Sequence, residues 1–598
     1  MRKLLVILTV VLQFSCGAPT PEKPKAAQPS DPYPMSEDAL AVSVTGEAGG
    51  RIITAMLNDP ETFHPLLFST VDSQTFNQLM HPGLTRLNPA TQQPEPSLAK
   101  SWESSEDHLT WTFHLRKGLT WSDGQPFGAH DVLFTMQVVN DPKIVSSAQD
   151  ALTLNSRPVA WKQIDELTVT ATLPSPFASF LRQLDGGTTP ILAKHKWETP
   201  YHAGTFEQQW QVSMNPEDFV GIGPFLLKEY FQGQTVRLFR NPRYWKRDGT
   251  GRRLPYLDEI IFQICSDLNQ LQLKIQNGEI DTYYSIRGED VERFQQKSSS
   301  TGMNVIAAGP SQDFEGVILN QNTDKNPKTG KPYIDPVKTS WFTDVNFRRA
   351  ISYGINREAL VQNAYFGKAI PSYGPESVSN KLWYNEKIMA YPYDPLKTLE
   401  LLQASGFQQK KDSTGSVKLF DSKGHQVRFS MHTNAGNTTR STECLLIAGD
   451  LLKLGIQVDY SPLDFNTLAT KVTETFDYDA ILLSVSHDDT DPAGGMNVML
   501  SSGTTHLWWP QQKFPHTEWE KRIDELMNLQ FKTFSYEERK GYYNEVQRIL
   551  SDQQPMVYTV TPLIFVCAKT KIGNLHPVVA RHRTLWNAEE LYWKKAKD

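Results

Sequence analysis

The sequence predicts an α/β protein whose folded body is divided into lobes, and three observations carry that reading. At 598 residues the chain exceeds what one hydrophobic core usually holds. Along its second half, segments of helical period alternate with short strand-like runs, the pattern of strands covered by helices. Past the N-terminus no stretch is long and apolar enough to cross a bilayer, so the apolar residues, 39% of the chain, are available for cores.

The elements follow in chain order. Met1, Arg2 and Lys3 precede the apolar run Leu4 to Leu12, too short to span a membrane, and together they read as an export signal over residues 1–15. Residues 17–48 are rich in Pro, Ala, Ser, Glu and Lys and lack an apolar period, so a tether rather than a packed element is expected behind Cys16. The folded body begins near Gly49. Arg51 to Leu57 reads as a strand stopped by Asn58, Asp59 and Pro60, and Ser73 to Met80 as a helix ended by His81, Pro82 and Gly83.

Leu109, Trp111, Phe113 and Leu115 alternate with Thr110, Thr112, His114 and Arg116, which predicts a strand with one buried face. Asp123-Gly124 makes a turn, and Gly128 caps a helix over Ala129 to Val139. Phe225 to Tyr230 and Thr235 to Arg240 flank Gln232-Gly233 as a hairpin, with a further strand over Glu259 to Ile264. Helices are then expected over Leu271 to Gln276, Phe347 to Tyr365, Pro395 to Ser405 and Thr442 to Leu454, and strands over Gln457 to Ser461 and Ala480 to Val485. No internal repeat of solenoid length is present.

Several functions are argued against at this level. A net charge of −6 with no Lys/Arg block speaks against a nucleic-acid partner. Cys265, Cys444 and Cys567 are far apart and form no CxxC or Cys/His cluster, so at most one disulfide joins any two of them. The patterns GxSxG, HExxH and GxxxxGK[ST] are absent, which speaks against serine hydrolases, zincins and P-loop enzymes.

The strongest chemical constellation is His487, Asp488, Asp489, Thr490, Asp491 and Pro492, directly after the Ala480 to Val485 strand, where ligand sites of α/β proteins sit. A carboxylate there gives an ammonium a charge-assisted hydrogen bond. The competing reading is an Asx-rich turn and helix cap, preferred for Asp489 and Asp491 while ligand contact is preferred for Asp488. A metal site built on His487 and the carboxylates matches neither an EF-hand nor a zinc spacing, so no metal and no cofactor is expected. Trp508, beside Trp509, is a candidate cleft wall, with burial in the core as its alternative.

A family pattern runs through these segments. Pro96, Leu98, Ala99, Ser101 and Trp102, the run Asp123 to Val132, Gly221, Gly223, Pro224 and Phe225, and Arg240, Asn241, Pro242, Tyr244 and Trp245 stand in order. Pro255 to Glu259, Gly278 to Asp281, Phe347 to Ile351, Asn356 to Glu358, Tyr393 to Pro395, and Gly455-Ile456 continue it. The chain thereby resembles the family 5 extracellular solute-binding proteins, the peptide-binding components of ABC importers, over nearly all of the body.

That resemblance implies a bilobal periplasmic-binding-protein fold, class II and of the large peptide-binding type, with an extra subdomain in the N-terminal lobe. Lobe I would comprise residues 49–90, 220–318 and 558–598, the added subdomain 91–219, and lobe II 319–557. It implies hinge closure on ligand and no enzymatic turnover. Asp488 falls on the position that binds a peptide's α-ammonium, and His487, Asp489, Asp491 and Trp508 are the further ligand-contact candidates. Ser15-Cys16 resembles a lipobox, although Gln13 stands where leucine is usual, and the alternative is an ordinary cleaved signal. The implied partners are a short peptide, a membrane permease with its ATPase, and the membrane itself through lipid on Cys16. A monomer at the outer face of the bacterial cell envelope or in the periplasm is expected. Ser484-Val485 replaces the usual Gly-Trp, and a polar insert lies at Lys325 to Gly330. The insert reads as a surface loop, while the Ser484-Val485 departure leaves the ligand open to a non-peptide solute such as a metal chelate or glycoside, with a cell-envelope chaperone or adhesion protein as a further alternative.

Overall fold

Four sheets of four or more strands organise the described residues of the body, which spans Met35–Asp598 in this computed structural model. The structure describes residues 33, 35–68, 70–485, 490–510, 512–580 and 583–595. The expected signal, Cys16 and most of the tether lie outside them.

In the first sheet Arg51–Met56 runs parallel to Glu259–Ile264, which pairs antiparallel with Thr235–Arg240 and, through it, with Phe225–Phe231. The hairpin turns at Gly233, whose φ of +69° is a conformation glycine adopts without steric penalty. The second sheet is wholly antiparallel, in the order Ala99–Ser104, Thr110–Leu115, Thr168–Thr172, Ala160–Asp165. Trp111, Phe113 and Leu115 are buried as their alternation predicts. Helix Ala129–Val139 starts at Gly128, which lacks a capping side chain, and Asp131 supplies the bond instead by accepting from Gly128 N at 3.1 Å.

The third sheet has the order Gln457–Tyr460, Arg428–His432, Ala480–Val485, Phe314–Leu319, Met556–Tyr558. Its two faces feed two cores. Val317, Leu319, Ala480, Leu482 and Val557 pack beneath helices Val345–Gly354 and Thr438–Lys453, while Phe314, Ile318, Ile481, Val485 and Met556 pack beneath Glu518–Lys532 and Tyr536–Gln553. A strand buried on both faces reads as a continuous apolar run, which is how Ala480 to Leu483 reads within Ala480–Val485.

The expected single helix over Phe347 to Tyr365 is corrected to two. Ile355 is extended at ψ 122°, and Asn356 starts a second helix, Arg357–Asn363, by accepting from Ala359 N at 3.0 Å while its own N donates to Asp450 at 3.0 Å. Helix Thr438–Lys453 begins a turn earlier than expected because Asn437 caps it.

The fourth sheet joins the lobes. Val560–Lys569 pairs with Met303–Pro310, Thr282–Tyr283 and Ala369–Pro371. Met303–Pro310 passes through residues 311–313 into Phe314–Leu319, and Met556–Tyr558 passes through Thr559 into Val560–Lys569. The two crossings lie side by side: Ser311 N donates to Pro562 O at 2.7 Å and Thr559 N to Glu315 O at 3.0 Å. The fold is therefore bilobal, with a double-stranded hinge. Its first crossing precedes the expected seam at 318/319, since Phe314–Leu319 pairs along its whole length with Ala480–Val485. Cys265, Cys444 and Cys567 are buried and free.

Candidate functional site

A cavity of about 1090 Å³ lies where the lobes meet at these crossings. Helix Val71–Met80 contributes Gln74 and Gln78, the crossing contributes Ser311, Gln312 and Asp313, and the segment after the Ala480–Val485 strand contributes Thr490, Gly494 and Asn497. The strand's C-terminal end thus faces the cavity, as open α/β sheets dictate.

Of the predicted site residues, His487, Asp488 and Asp489 lie outside the described residues. Asp491 is 5% exposed and does not line the cavity. Its carboxylate caps the turn Pro492–Gly495 through Ala493 N at 3.0 Å, accepts from Ser179 Oγ at 2.6 Å, and pairs with Arg539 Nη2 at 2.7 Å. Burial pushes the Asp491 carboxyl up, but Arg539, Arg182 and these hydrogen bonds outweigh it and hold the group below its ordinary value. Trp508 is 1% exposed and belongs to the lobe II core, in tilted contact with His506 at a ring-centre distance of 4.1 Å rather than on the cavity wall.

The cavity wall of lobe I is built from residues that the sequence did not single out as site residues. Arg86 Nη1 and Lys246 Nζ both reach Glu589 Oε1, at 2.7 and 2.9 Å, and Arg86 also donates to Trp586 O. Burial raises the Glu589 carboxyl, yet the two cations bring it down to about 2. Trp245 is buried and lines the cavity, and Trp586 lines it too. Arg182 Nη1 donates to Gln92 O and Nη2 to Thr490 Oγ1, each at 2.7 Å, so an arginine of lobe I grips the loop of lobe II. Arg182 had one signal in the sequence, a lone charge among Phe180, Leu181 and Leu184, which marks a buried ion with a partner.

Chemically, the site offers fixed donors, acceptors and aromatic faces around the cavity, which suits a polar ligand held by many hydrogen bonds. Among the described residues no group of three or more His, Cys, Asp or Glu could hold a metal ion. No helix of the described residues is long and apolar enough to cross a membrane.

The model of the family described as "Bacterial extracellular solute-binding proteins, family 5 Middle" matches residues 93–506. The chain is similar to a "Probable ABC transporter-binding protein" of Deinococcus radiodurans, 27% identical over 86% of each chain. It is also similar to the "Dipeptide-binding protein" of Escherichia coli K12, 25% identical over 89% of this chain and 92% of that one. In fold it resembles the crystal structure of NikA from Brucella suis in complex with Fe(III)-EDTA, with a TM-score of 0.73, 18% identity, and coverage of 91% of this chain and 100% of that one.

Proposed function

Because the chain belongs to family 5 of the bacterial extracellular solute-binding proteins, a family of binding proteins rather than enzymes, we propose that it captures a short peptide between its lobes and delivers it to an ABC import complex. The observation that carries this reading is the cavity of about 1090 Å³ at the double crossing, walled by both lobes. It exceeds the usual ~300–1,000 Å³ of a small-molecule site, which leaves room for an extended chain with water around its side chains. The peptide backbone is common to every sequence, so polar wall groups such as Gln74, Gln78 and Asn497 supply affinity without reading side chains. Asp488 holds the ligand's α-ammonium, with His487 and Asp489 beside it. Lipid on Cys16 anchors the body through the tether, and the permease with its ATPase receives the closed, loaded form.

A second reading, a chelate or other non-peptide solute, draws on the Fe(III)-EDTA bound by the Brucella neighbour and on Ser484-Val485 in place of Gly-Trp. Mass spectrometry of small molecules released by denaturing the purified protein separates the two. A ladder of short peptides is expected, and one recurrent non-peptide mass in their place contradicts the peptide reading.

A further inference from the structure

Beside the cavity the lobes also hold each other directly. Phe177 of the subdomain stacks on Phe531, at the end of the lobe II helix Glu518–Lys532, with ring centres 4.5 Å apart and planes 15° apart. Between them Ala178 N donates to Phe531 O at 3.0 Å. His108 stacks on Phe534 at 3.9 Å and 20°. Next along the chain, Ser179 Oγ donates to Asp491 Oδ1 at 2.6 Å and Arg182 Nη2 to Thr490 Oγ1 at 2.7 Å. Gln92 Nε2 adds a bond to Ser379 O at 3.0 Å.

We infer that this patch, centred on Phe177–Arg182 and His108, is a clasp that stabilises lobe closure by protein-to-protein contact and so populates the closed form before ligand arrives. The two halves of the patch divide the work. Asp491 keeps Arg539 as its partner within lobe II, so opening does not strip that carboxylate of its counter-ion, and the polar bonds set register more than energy. The two aromatic stacks lose their contacts outright on opening, and each such pair contributes beyond its buried area. A ligand then meets a protein whose closed state is already populated and expends less of its binding free energy on closure. Arg182 ties the clasp to Thr490, so closure and the shape of the ligand loop change together.

The inference rests on hinge closure as read above and not on the ligand's identity. Its test is small-angle scattering on protein unfolded, dialysed free of small molecules and refolded, comparing wild type with Phe531→Ala/Phe534→Ala. Phe534→Ser alone is carried as a milder variant. Wild type should be compact. The variants should show a larger radius of gyration, a closed-to-open ratio reduced about ten-fold, and an unchanged melting temperature. Adding the peptides recovered from the native protein should return the variants to the wild-type radius. A stripped wild type as expanded as the variants overturns the clasp while leaving ligand-driven closure standing. Variants as compact as wild type overturn it as well. Expanded variants that stay expanded with peptide, while wild type binds it, show that the aromatic pair serves the site rather than closure, and that outcome also overturns it.

Discussion

Asp491 and Glu443 are both buried acids of lobe II, and their surroundings drive them in opposite directions. Asp491 is held charged by Arg539 at 2.7 Å. Asp491→Ala should therefore destabilise the fold by ~3 kcal/mol or more, since it strands a buried guanidinium, with Gln530 O and Oε1 as the partners that limit the loss. Equilibrium denaturation measures this directly. For Glu443, burial and then the neighbouring Glu315 carboxylate push the carboxyl up to about 7, because Arg440 is committed to Glu315 at 2.9 Å and Tyr365 donates only a phenol hydrogen at 2.8 Å. The folded state then binds a proton that the unfolded state has released. Stability from this group is complete below pH ~4.5 and is lost as pH rises through about 7. Glu443→Gln should raise the melting temperature at pH 8 and leave it nearly unchanged at pH 4.5, and an equal shift at both would contradict the proton's role.

At the scale of elements, legibility tracked how local the determinant was. The strand around Trp111 and Phe113 was readable because alternation is a property of six consecutive residues, and Ala480–Val485 because its apolar run, Ala480 to Leu483, is too short for a helix. The break at Ile355-Asn356 was overlooked although Asn is a cap signal, since no proline or exposed glycine marks it and apolar spacing continues across it. Gly455 shows what a local signature can fix. Its φ is +86°, and a Cβ there would lie 2.7 Å from Leu419 N, the amide that donates to Gly455 O at 2.9 Å. Gly455→Ala should cost ~1–3 kcal/mol by adding backbone strain and a clash, with Gly436→Ala, which has open space around it, as the neutral control in the same thermal melts. The site was half readable. The loop after residue 485 was visible because strand ends are where α/β ligands bind. Arg86, Lys246 and Glu589 were not, because their juxtaposition joins segments more than 150 and 340 residues apart, which no window of the sequence contains.

At the scale of the molecule, two adjacent crossings through residues 311–313 and Thr559 leave the lobes free to bend about one axis and little else. A ligand buried between them is then held by both lobes, and a charge within it must meet its partner away from water. Truncating one side of such a buried pair costs ~2–5 kcal/mol, or ~30-fold to several thousand-fold in affinity. The most direct test of peptide capture is a calorimetric cycle pairing wild type and Asp488→Ala with one recovered peptide and its N-acetylated form. Each change alone should weaken binding within that range, the two together should weaken it no further, and the melting temperature of Asp488→Ala should stay near wild type. Equal binding of free and acetylated peptide by wild type would contradict the account.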